Sequence, residues 1–390
     1  MSDSTDLDLY VFHRSYYCGK MLAYLNYKQI PHNRVYKSLA EQGDTILEQT
    51  GLRVMPVIQL PDGRWMNDTT PMMLWFEEQY PQHSVLPADP VSKFFVRLLE
   101  DYADEWMWRP AINSRWQNKV DRNYYQKLFP TEFIGAKGWV RRAQSAVINR
   151  HMHKTFLEGD GITDQNREHV WSIYTDTLKR LEAIFAVQPF LLGDKPCLAD
   201  FGFFGSMFWH FGSDPTPSRI MHEQAPAVFE WVARLWNAKG ETLSAGNFTV
   251  RPGTAPELWS ELLTDVGQSY LPYLEANAAA FKQGAKRFDH SVAGYDYPGV
   301  QVSPYRVWCL EQLKKALLAL TDEEQRAVHD VLAETGGWDA LLSHQDIASN
   351  YDPEDLAPFT KPGKVSTASK WDFWLNGSNY ITRKRAWSKP

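Results

Sequence analysis

The chain has 390 residues, enough for two or three domains, of which 44% are hydrophobic and 23% charged, as in an ordinary globular protein. Its net charge of −6 gives no general electrostatic reason to bind nucleic acid. Three scattered cysteines are too few for a disulfide framework or a zinc site, and no apolar run approaches the ~18 residues of a membrane span. Because the N-terminus is polar and unlike a signal peptide, we expect a cytoplasmic protein with no metal and no membrane partner.

The first 80 residues alternate strand and helix patterns in the order βαβαββα, which is typical of an α/β domain. The sequence Pro61-Asp62-Gly63 predicts a tight hairpin turn between the third and fourth strands. The predicted strands cover 7–12, 33–37, 54–60 and 64–67, and the predicted helices cover 17–29, 39–49 and 69–80.

A proline-rich connector at 81–90 ends this region, and strand signals largely vanish beyond it. We therefore predict an α/β domain at 1–84, an all-helical domain at 92–250 and a mostly helical, loop-rich C-terminal extension at 251–390. The last 30 residues carry seven basic side chains and one acidic one, a pattern typical of a solvated terminus. The predicted helices beyond the connector cover 91–109, 166–186, 200–211, 225–239, 257–283, 305–320 and 322–335.

Ser15 lies at the turn between the first strand and the first helix. Backbone N–H groups and the positive end of the helix dipole favour an anion such as a thiolate at this position. Ser15 and Cys18 have the spacing of a C-x-x-C motif whose first cysteine is replaced, so no disulfide can close between them. The alternative is that Ser15 only caps the helix, which would stabilise it by about 1 kcal/mol.

Met55-Pro56 precedes the third strand. A cis proline here would present the backbone groups of Met55 to an extended, peptide-like ligand, whereas the alternative is a trans proline at a strand edge. Asp68-Thr69 begins the third helix, where N–H groups and a hydroxyl suit a carboxylate and Asp68 suits an ammonium group. Simple helix capping is again the alternative.

Taken in order, these motifs resemble those of the cytosolic glutathione transferase family. Residues 7–80 look like its thioredoxin-like N-terminal domain, and residues 92–250 look like its helical domain. Ser15 stands five residues before Lys20 as in Ser- and Cys-type members, and the two later motifs match the family's residue-plus-cis-proline and its acidic-plus-hydroxyl pair. Cys197 and Asp200 resemble the family's Ser/Thr-x-x-Asp capping box, with a thiol in place of the hydroxyl.

The resemblance implies an α/β thioredoxin-like domain followed by an all-α domain, with glutathione as co-substrate and a homodimer as the assembly. Ser15 would donate a hydrogen bond to the glutathione thiol and lower its pKa for attack on an apolar electrophile, as in detoxification. Met55 would offer its backbone to the cysteinyl part, while Asp68 and Thr69 would hold the γ-glutamyl group. The extension exceeds the family's usual length and receives no activity from the resemblance.

Three further features leave alternatives open. One predicted helical face carries Tyr102, Trp106 and Arg109, which are candidates for the electrophile pocket. Such a face would suit an apolar substrate that carries an anionic group. The alternative is that these residues belong to a domain core. We expect Pro110 to end or kink this helix. Cys18 is either a buried helix residue or a partner in a mixed disulfide with glutathione. Tyr16 and Tyr17 are alternative hydroxyl donors to Ser15.

Two other functions compete with a transferase. The long extension is compatible with a non-catalytic binding or scaffold protein that kept the fold. A glutathione-dependent reductase, lyase or dehalogenase would use the same site and differ only in its substrate, which the fold does not determine.

Overall fold

The computed structural model describes residues 6–36, 39–52, 54–134, 156–344 and 346–362. Most of the basic tail that the sequence predicts as a solvated terminus lies outside these residues.

The N-terminal region is an α/β unit built on a four-stranded sheet with the strand order β2-β1-β3-β4. The first strand runs parallel to the second and antiparallel to the third, and the third and fourth form a hairpin. The predicted order of strands and helices is confirmed, although the third strand is shorter than predicted. The elements are β1 (Leu7–Val11), α1 (Tyr16–Lys28), β2 (His32–Tyr36), α2 (Leu39–Thr50), β3 (Val57–Gln59), β4 (Trp65–Asn67) and α3 (Thr69–Gln79).

Helix α1 lies at the centre of the molecule. Ser15 begins it as the N-cap, and Gln29 ends it in the left-handed backbone conformation. Eleven of its thirteen residues are buried, because the helix contacts α3 of the α/β unit on one side and helices of the helical domain on the other. The N-terminus of α1 is therefore fixed by packing on both sides, which holds the adjacent turn in place.

The helical domain follows the connector, but the single helix predicted at 91–109 is two helices. The chain turns at Trp106 and Met107, so the expected end or kink of this helix does occur, but about one turn before Pro110 rather than at it. Pro110 instead lies in the first turn of the next helix, where a missing N–H costs nothing. The helices are α4 (Pro90–Glu105), α5 (Trp108–Gln117), α6 (Lys119–Ile134), α7 (Arg167–Phe185), α8 (Leu198–Ser206), α9 (Pro215–Gln224) and α10 (Pro226–Asn237).

Asp200 anchors the start of α8, as the resemblance to a capping box implies. Its carboxylate accepts hydrogen bonds from the Cys197 N–H at 2.9 Å, the Leu191 N–H at 3.0 Å and the Trp231 indole at 3.0 Å. Three donors compensate for burying this carboxylate, so its role is structural.

The described part of the extension contains helices and one β-hairpin, and the sequence reasoning missed the hairpin. Ala293 and Gly294 both have positive φ at the tip of the hairpin, as a tight two-residue turn requires. The predicted helix at 257–283 is interrupted by π-helical geometry at Val266–Tyr270. The elements are α11 (Ser260–Asp265), α12 (Leu271–Lys282), β5 (Arg287–Val292), β6 (Tyr295–Gln301), α13 (Pro304–Leu318), α14 (Asp322–Thr335) and α15 (Trp338–Leu342).

The extension also completes the N-terminal sheet. Asn67 donates its N–H to the Pro358 carbonyl at 3.0 Å, and Thr360 donates its N–H to the Trp65 carbonyl at 3.0 Å. Met66 and Phe359 form an antiparallel bridge between these bonds. The free edge of β4 is thereby covered by the chain itself, which protects it from pairing with another chain.

Candidate functional site

A cavity of about 330 Å³ lies where the α/β unit, the helical domain and the extension meet. Its volume is at the lower end of the range for small-molecule sites. The described lining residues are Tyr17, Val54, Met55, Pro56, Asn67, Asp68 and Thr69 from the α/β unit, Asp104, Glu105, Trp108, Phe156, Gly159 and Asp160 from the helical domain, and Gln301, Val302, Ser303, Tyr305, Arg306 and Tyr351 from the extension.

Four of the residues singled out in the sequence converge on this cavity: Met55, Pro56, Asp68 and Thr69. The Met55–Pro56 peptide bond is cis, as the location of the proline predicts. Asp68 has a φ of 72°, which a non-glycine residue rarely adopts, directly before the first turn of α3. The cavity wall therefore combines a strand start, a carboxyl group and a helix N-terminus.

The Asp68 carboxyl group is held from one side only. Its Oδ1 accepts a hydrogen bond from the Tyr305 hydroxyl at 3.2 Å, whereas its Oδ2 is buried with no hydrogen-bond partner among the described residues. Burial raises the pKa of Asp68 to about 7, and the positive charge of Lys20 opposes that rise. Asp68 can thus accept one more donor from a ligand.

Lys20 lies beneath the cavity and is fully buried. Its Nζ pairs with Glu100 and with Asp104 Oδ2, the latter at 2.5 Å, and donates to the Thr70 hydroxyl at 3.1 Å. Burial alone would lower the pKa of Lys20, but the two carboxylates outweigh it and the pKa is raised. Lys20 therefore remains charged and its charge is already shared between two acidic partners.

Ser15 is not among the described residues that line the cavity. Its hydroxyl accepts a long hydrogen bond of 3.5 Å from the Cys18 N–H, as a helix cap does. Tyr17, two residues later, does line the cavity, and its hydroxyl donates to the Asp104 carbonyl at 3.3 Å. Of the hydroxyl donors named from the sequence, Tyr17 therefore lies on the cavity wall and Ser15 does not.

Cys18 is completely buried, which confirms the interpretation that it is a core residue of α1. Burial raises the pKa of its thiol to about 11, while hydrogen bonds with Phe12 and Ser15 oppose the shift. A thiol in this state is a poor nucleophile at neutral pH, so the geometry disfavours a mixed disulfide with glutathione.

The predicted electrophile wall does not reach this cavity. Tyr102, Trp106 and Arg109 are all buried, and none of them belongs to the described lining. Their face packs against the extension: the Trp106 ring lies 5.6 Å from the Tyr273 ring, and the Tyr102 hydroxyl donates to Asp265 at 2.5 Å. This arrangement agrees with the alternative interpretation from the sequence, in which these residues belong to a domain core.

Sequence reasoning missed the residues that the extension and the helical domain add to the cavity. Arg306 Nε donates to Glu105 Oε2 at 2.9 Å, and its Nη1 lies 3.4 Å from Asp160 Oδ1. Ser303 followed by Pro304 does signal the start of a helix, and Ser303 accepts from the Arg306 N–H at 3.3 Å. That signal predicts where the helix begins in the sequence, but it does not predict that the helix lines the cavity.

Among the described residues, no group of three or more His, Cys, Asp or Glu side chains has the geometry to hold a metal ion. No helix in the described ranges is long and apolar enough to cross a membrane.

The fold defines a protein with a thioredoxin-like α/β domain followed by a helical domain. Residues 9–84 match the family model of the glutathione S-transferase N-terminal domain, and residues 174–238 match that of the C-terminal domain. The chain therefore contains regions that match both domains of the glutathione S-transferase family, and its extension lies outside both matched regions.

Several solved structures are similar to this chain at low identity. A glutathione S-transferase from Rhodospirillum rubrum is 18% identical, with 66% of this chain and 99% of that chain covered and a TM-score of 0.42. A beta-etherase, LigF, from Sphingobium sp. is 17% identical, with coverage of 62% and 99% and a TM-score of 0.43. A glutathione transferase homologue from Drosophila mojavensis with bound glutathione is 15% identical, with coverage of 62% and 96% and a TM-score of 0.38.

Proposed function

We propose that the cavity binds glutathione and that the protein activates its thiol for reaction with an electrophile. The observation that carries this proposal is the convergence of Met55, cis-Pro56, Asp68 and Thr69 on one wall. The two pairs, Met55-Pro56 and Asp68-Thr69, are separated in the chain by the β3–β4 hairpin, and each pair matches a different part of the glutathione-binding pattern that the resemblance implies.

Each part of glutathione has a partner of suitable chemistry on that wall. The ammonium of the γ-glutamyl group would donate to Asp68 Oδ2, which has no partner in the described part of the chain. Its carboxylate would accept from the Thr69 hydroxyl and from N–H groups in the first turn of α3. The cysteinyl part would lie along the backbone at Met55 in the manner of an added strand.

Two hydroxyl groups compete for the role of stabilising the thiolate. Ser15 stands at the N-terminus of α1, where the helix dipole favours an anion, and the resemblance to Ser-type members supports it. Tyr17 lines the cavity, and its ring lies 6.1 Å from that of Trp108 on the same wall. Because Tyr17 lines the cavity and Ser15 does not, we place Tyr17 first and retain Ser15 as the second candidate.

The reaction class follows from the fate of the thiolate. Attack on an electrophilic carbon gives a conjugate, while attack by a second glutathione on such a conjugate gives oxidised glutathione and a reduced product. Product analysis by mass spectrometry separates conjugation from reduction or elimination.

Calorimetry with glutathione tests the proposal directly. We expect binding by the wild-type protein and a loss of roughly tenfold or more in Asp68→Asn, since a charge-assisted hydrogen bond is removed. Asp62→Asn is the matched control, because Asp62 lies on the exposed hairpin turn and pairs only with Arg64 among the described residues. Equal affinity in the wild type and Asp68→Asn would exclude the assigned role of Asp68.

A non-catalytic binding protein is the second candidate. It is favoured by one observation, that the extension places Tyr305 on Asp68 and so covers part of the cavity. No heat of binding at millimolar glutathione would support this candidate and reject the transferase. The homodimer implied by the resemblance also remains a prediction, which sedimentation velocity tests.

A further inference from the structure

Among the described residues, more acidic than basic side chains line the cavity. Four carboxyl groups line the cavity, those of Asp68, Asp104, Glu105 and Asp160, against one guanidinium, that of Arg306, among the described residues. Asp104 and Asp160 are 6% and 8% exposed. Carboxyl groups this deeply buried need hydrogen-bond donors to offset their lost hydration.

The nearby cationic side chains do not supply all the hydrogen-bond donors that these carboxyl groups need. Arg306 donates to Glu105 Oε2 and approaches Asp160 Oδ1, and Lys20 donates to Asp104 Oδ2. Asp104 Oδ1 and Asp160 Oδ2 are buried, and neither has a hydrogen-bond partner in the described ranges. Both oxygens belong to residues on the cavity wall, so a ligand that reached them from the cavity would supply the missing donors.

Aromatic rings stand beside these carboxyl groups. Trp108 and Phe156 line the same cavity with their ring centroids 5.6 Å apart in an edge-to-face arrangement. Such rings bind an apolar skeleton and also attract a cation over their faces. Acidic oxygens beside aromatic faces match an organic cation better than an anion or a purely apolar molecule.

We propose that the space next to the glutathione-binding wall takes a second ligand that carries an amine, with its ammonium group donating to Asp160 Oδ2 and Asp104 Oδ1 and its carbon skeleton against Trp108 and Phe156. This inference rests on the proposed binding of glutathione, whose own ammonium group occupies Asp68. The proposed amine differs from the ligand expected from the sequence, an apolar molecule with an anionic group. That expectation depended on Arg109, which does not line the cavity.

A series of three small aromatic probes tests this preference. Benzylamine, benzyl alcohol and benzoate share one ring and differ in the charge of the substituent. With the protein saturated in S-methylglutathione, we expect benzylamine to bind roughly tenfold or more tightly than benzyl alcohol, and benzoate most weakly. Equal binding of benzylamine and benzyl alcohol would overturn the proposal.

Substitution of Asp160 locates the binding site. Asp160→Asn should reduce benzylamine affinity by roughly tenfold and leave benzyl alcohol unchanged, whereas Asp164→Asn removes an exposed carboxylate nearby and should change neither. A benzylamine preference that survives Asp160→Asn would place the amine elsewhere and reject the assignment. If Asp160→Asn fails to fold, the probe series on the wild-type protein still decides.

The experiment separates failure of this inference from failure of the glutathione site. Glutathione binding without a preference for benzylamine rejects the amine site alone. A preference for benzylamine that Asp160→Asn abolishes, in a protein that does not bind glutathione, rejects the transferase proposal alone. Loss of amine binding in Asp68→Asn but not in Asp160→Asn would show benzylamine at the Asp68 carboxylate and reject the second site.

Discussion

The hydroxyl of Tyr305 donates a hydrogen bond of 3.2 Å to Oδ1 of Asp68. Tyr305 belongs to the extension and Asp68 to the α/β domain, so the extension directly contacts the residue proposed to hold the ammonium group of glutathione. The extension is therefore part of the candidate site rather than an appendage to it.

Replacing Tyr305 tests this contact. In Tyr305→Phe the hydrogen bond that lowers the pKa of Asp68 is lost, so the pKa should rise further. We expect the free energy of unfolding to fall by about 1 kcal/mol, measured by urea denaturation. Tyr80→Phe, at an exposed position, is the control and should leave stability unchanged.

Binding of S-methylglutathione should depend on pH. Since burial raises the pKa of Asp68 to about 7, its carboxyl group gains a proton as the pH falls from about 8 to about 6, and affinity for the ammonium group should fall with it. The methylated sulfur excludes titration of the thiol from the measurement. Asp68→Asn should bind weakly with no such slope, and an equal slope in both proteins would contradict the assignment.

The same shift has a consequence for the free protein. The native state holds the Asp68 proton up to a pH of about 7, whereas the unfolded chain releases it near 3.8, the ordinary pKa of an aspartate side chain. The contribution of Asp68 to the free energy of unfolding should therefore decline as the pH rises from about 4 to about 7. Comparing urea denaturation of the wild type and Asp68→Asn across that range measures this contribution.

Arg306 should be important for stability. Arg306→Met leaves the buried carboxylates of Glu105 and Asp160 without their shared cation, and breaking such a pair costs about 3–5 kcal/mol. Arg219→Met is the control, because Arg219 pairs with Glu223 on the surface and should change stability by less than about 0.5 kcal/mol. A small effect of Arg306→Met on urea denaturation would contradict this stabilising role of Arg306.

The two candidate hydroxyl groups should be separable by kinetics. We expect Tyr17→Phe to lower turnover of glutathione with a chlorodinitrobenzene at least about tenfold, with glutathione still bound. Ser15→Ala should mainly cost stability, about 1 kcal/mol for a lost helix cap. The reverse pattern, with turnover lost only in Ser15→Ala, would restore Ser15 as the residue that faces the thiol.

Phe359 should stabilise the sheet edge. Its ring lies 5.6 Å from that of Trp75, and the guanidinium of Arg64 lies 4.4 Å from its centroid. Because Phe359 is half-buried, Phe359→Ala should lower the free energy of unfolding by about 1–2 kcal/mol in urea. The exposed Phe229→Ala should have a smaller effect, and equal losses would argue against a specific role for Phe359.

Local patterns predicted much of the α/β domain. Alternating apolar residues and punctuation by proline and glycine located its strands and helices, and Asp68-Thr69 was recognisable because a helix start has its own chemistry. The hairpin in the extension has a weaker signal, because of its two turn residues, Ala293 and Gly294, only the glycine is a type that favours the positive φ both adopt. The hairpin therefore lies within a region that the sequence predicts to be mostly helical.

The sequence did not predict which distant segments contact one another. Tyr102, Trp106 and Arg109 do share a face of the chain, but whether that face meets a ligand or another helix depends on where α12 docks. Asp160 and Arg306 belong to different domains and meet only because the extension folds back across α4. Such proximity arises from tertiary packing. Local patterns in a single sequence do not reveal it.

The bridge between Met66 and Phe359 also bears on how the protein is made. On the ribosome the fourth strand emerges early, but its partner leaves nearly three hundred residues later, after roughly 15 to 60 s at ordinary elongation rates. Throughout that interval the nascent α/β domain exposes an unpaired strand to every other chain nearby. The final dozen described residues thus decide when the first domain becomes safe from aggregation.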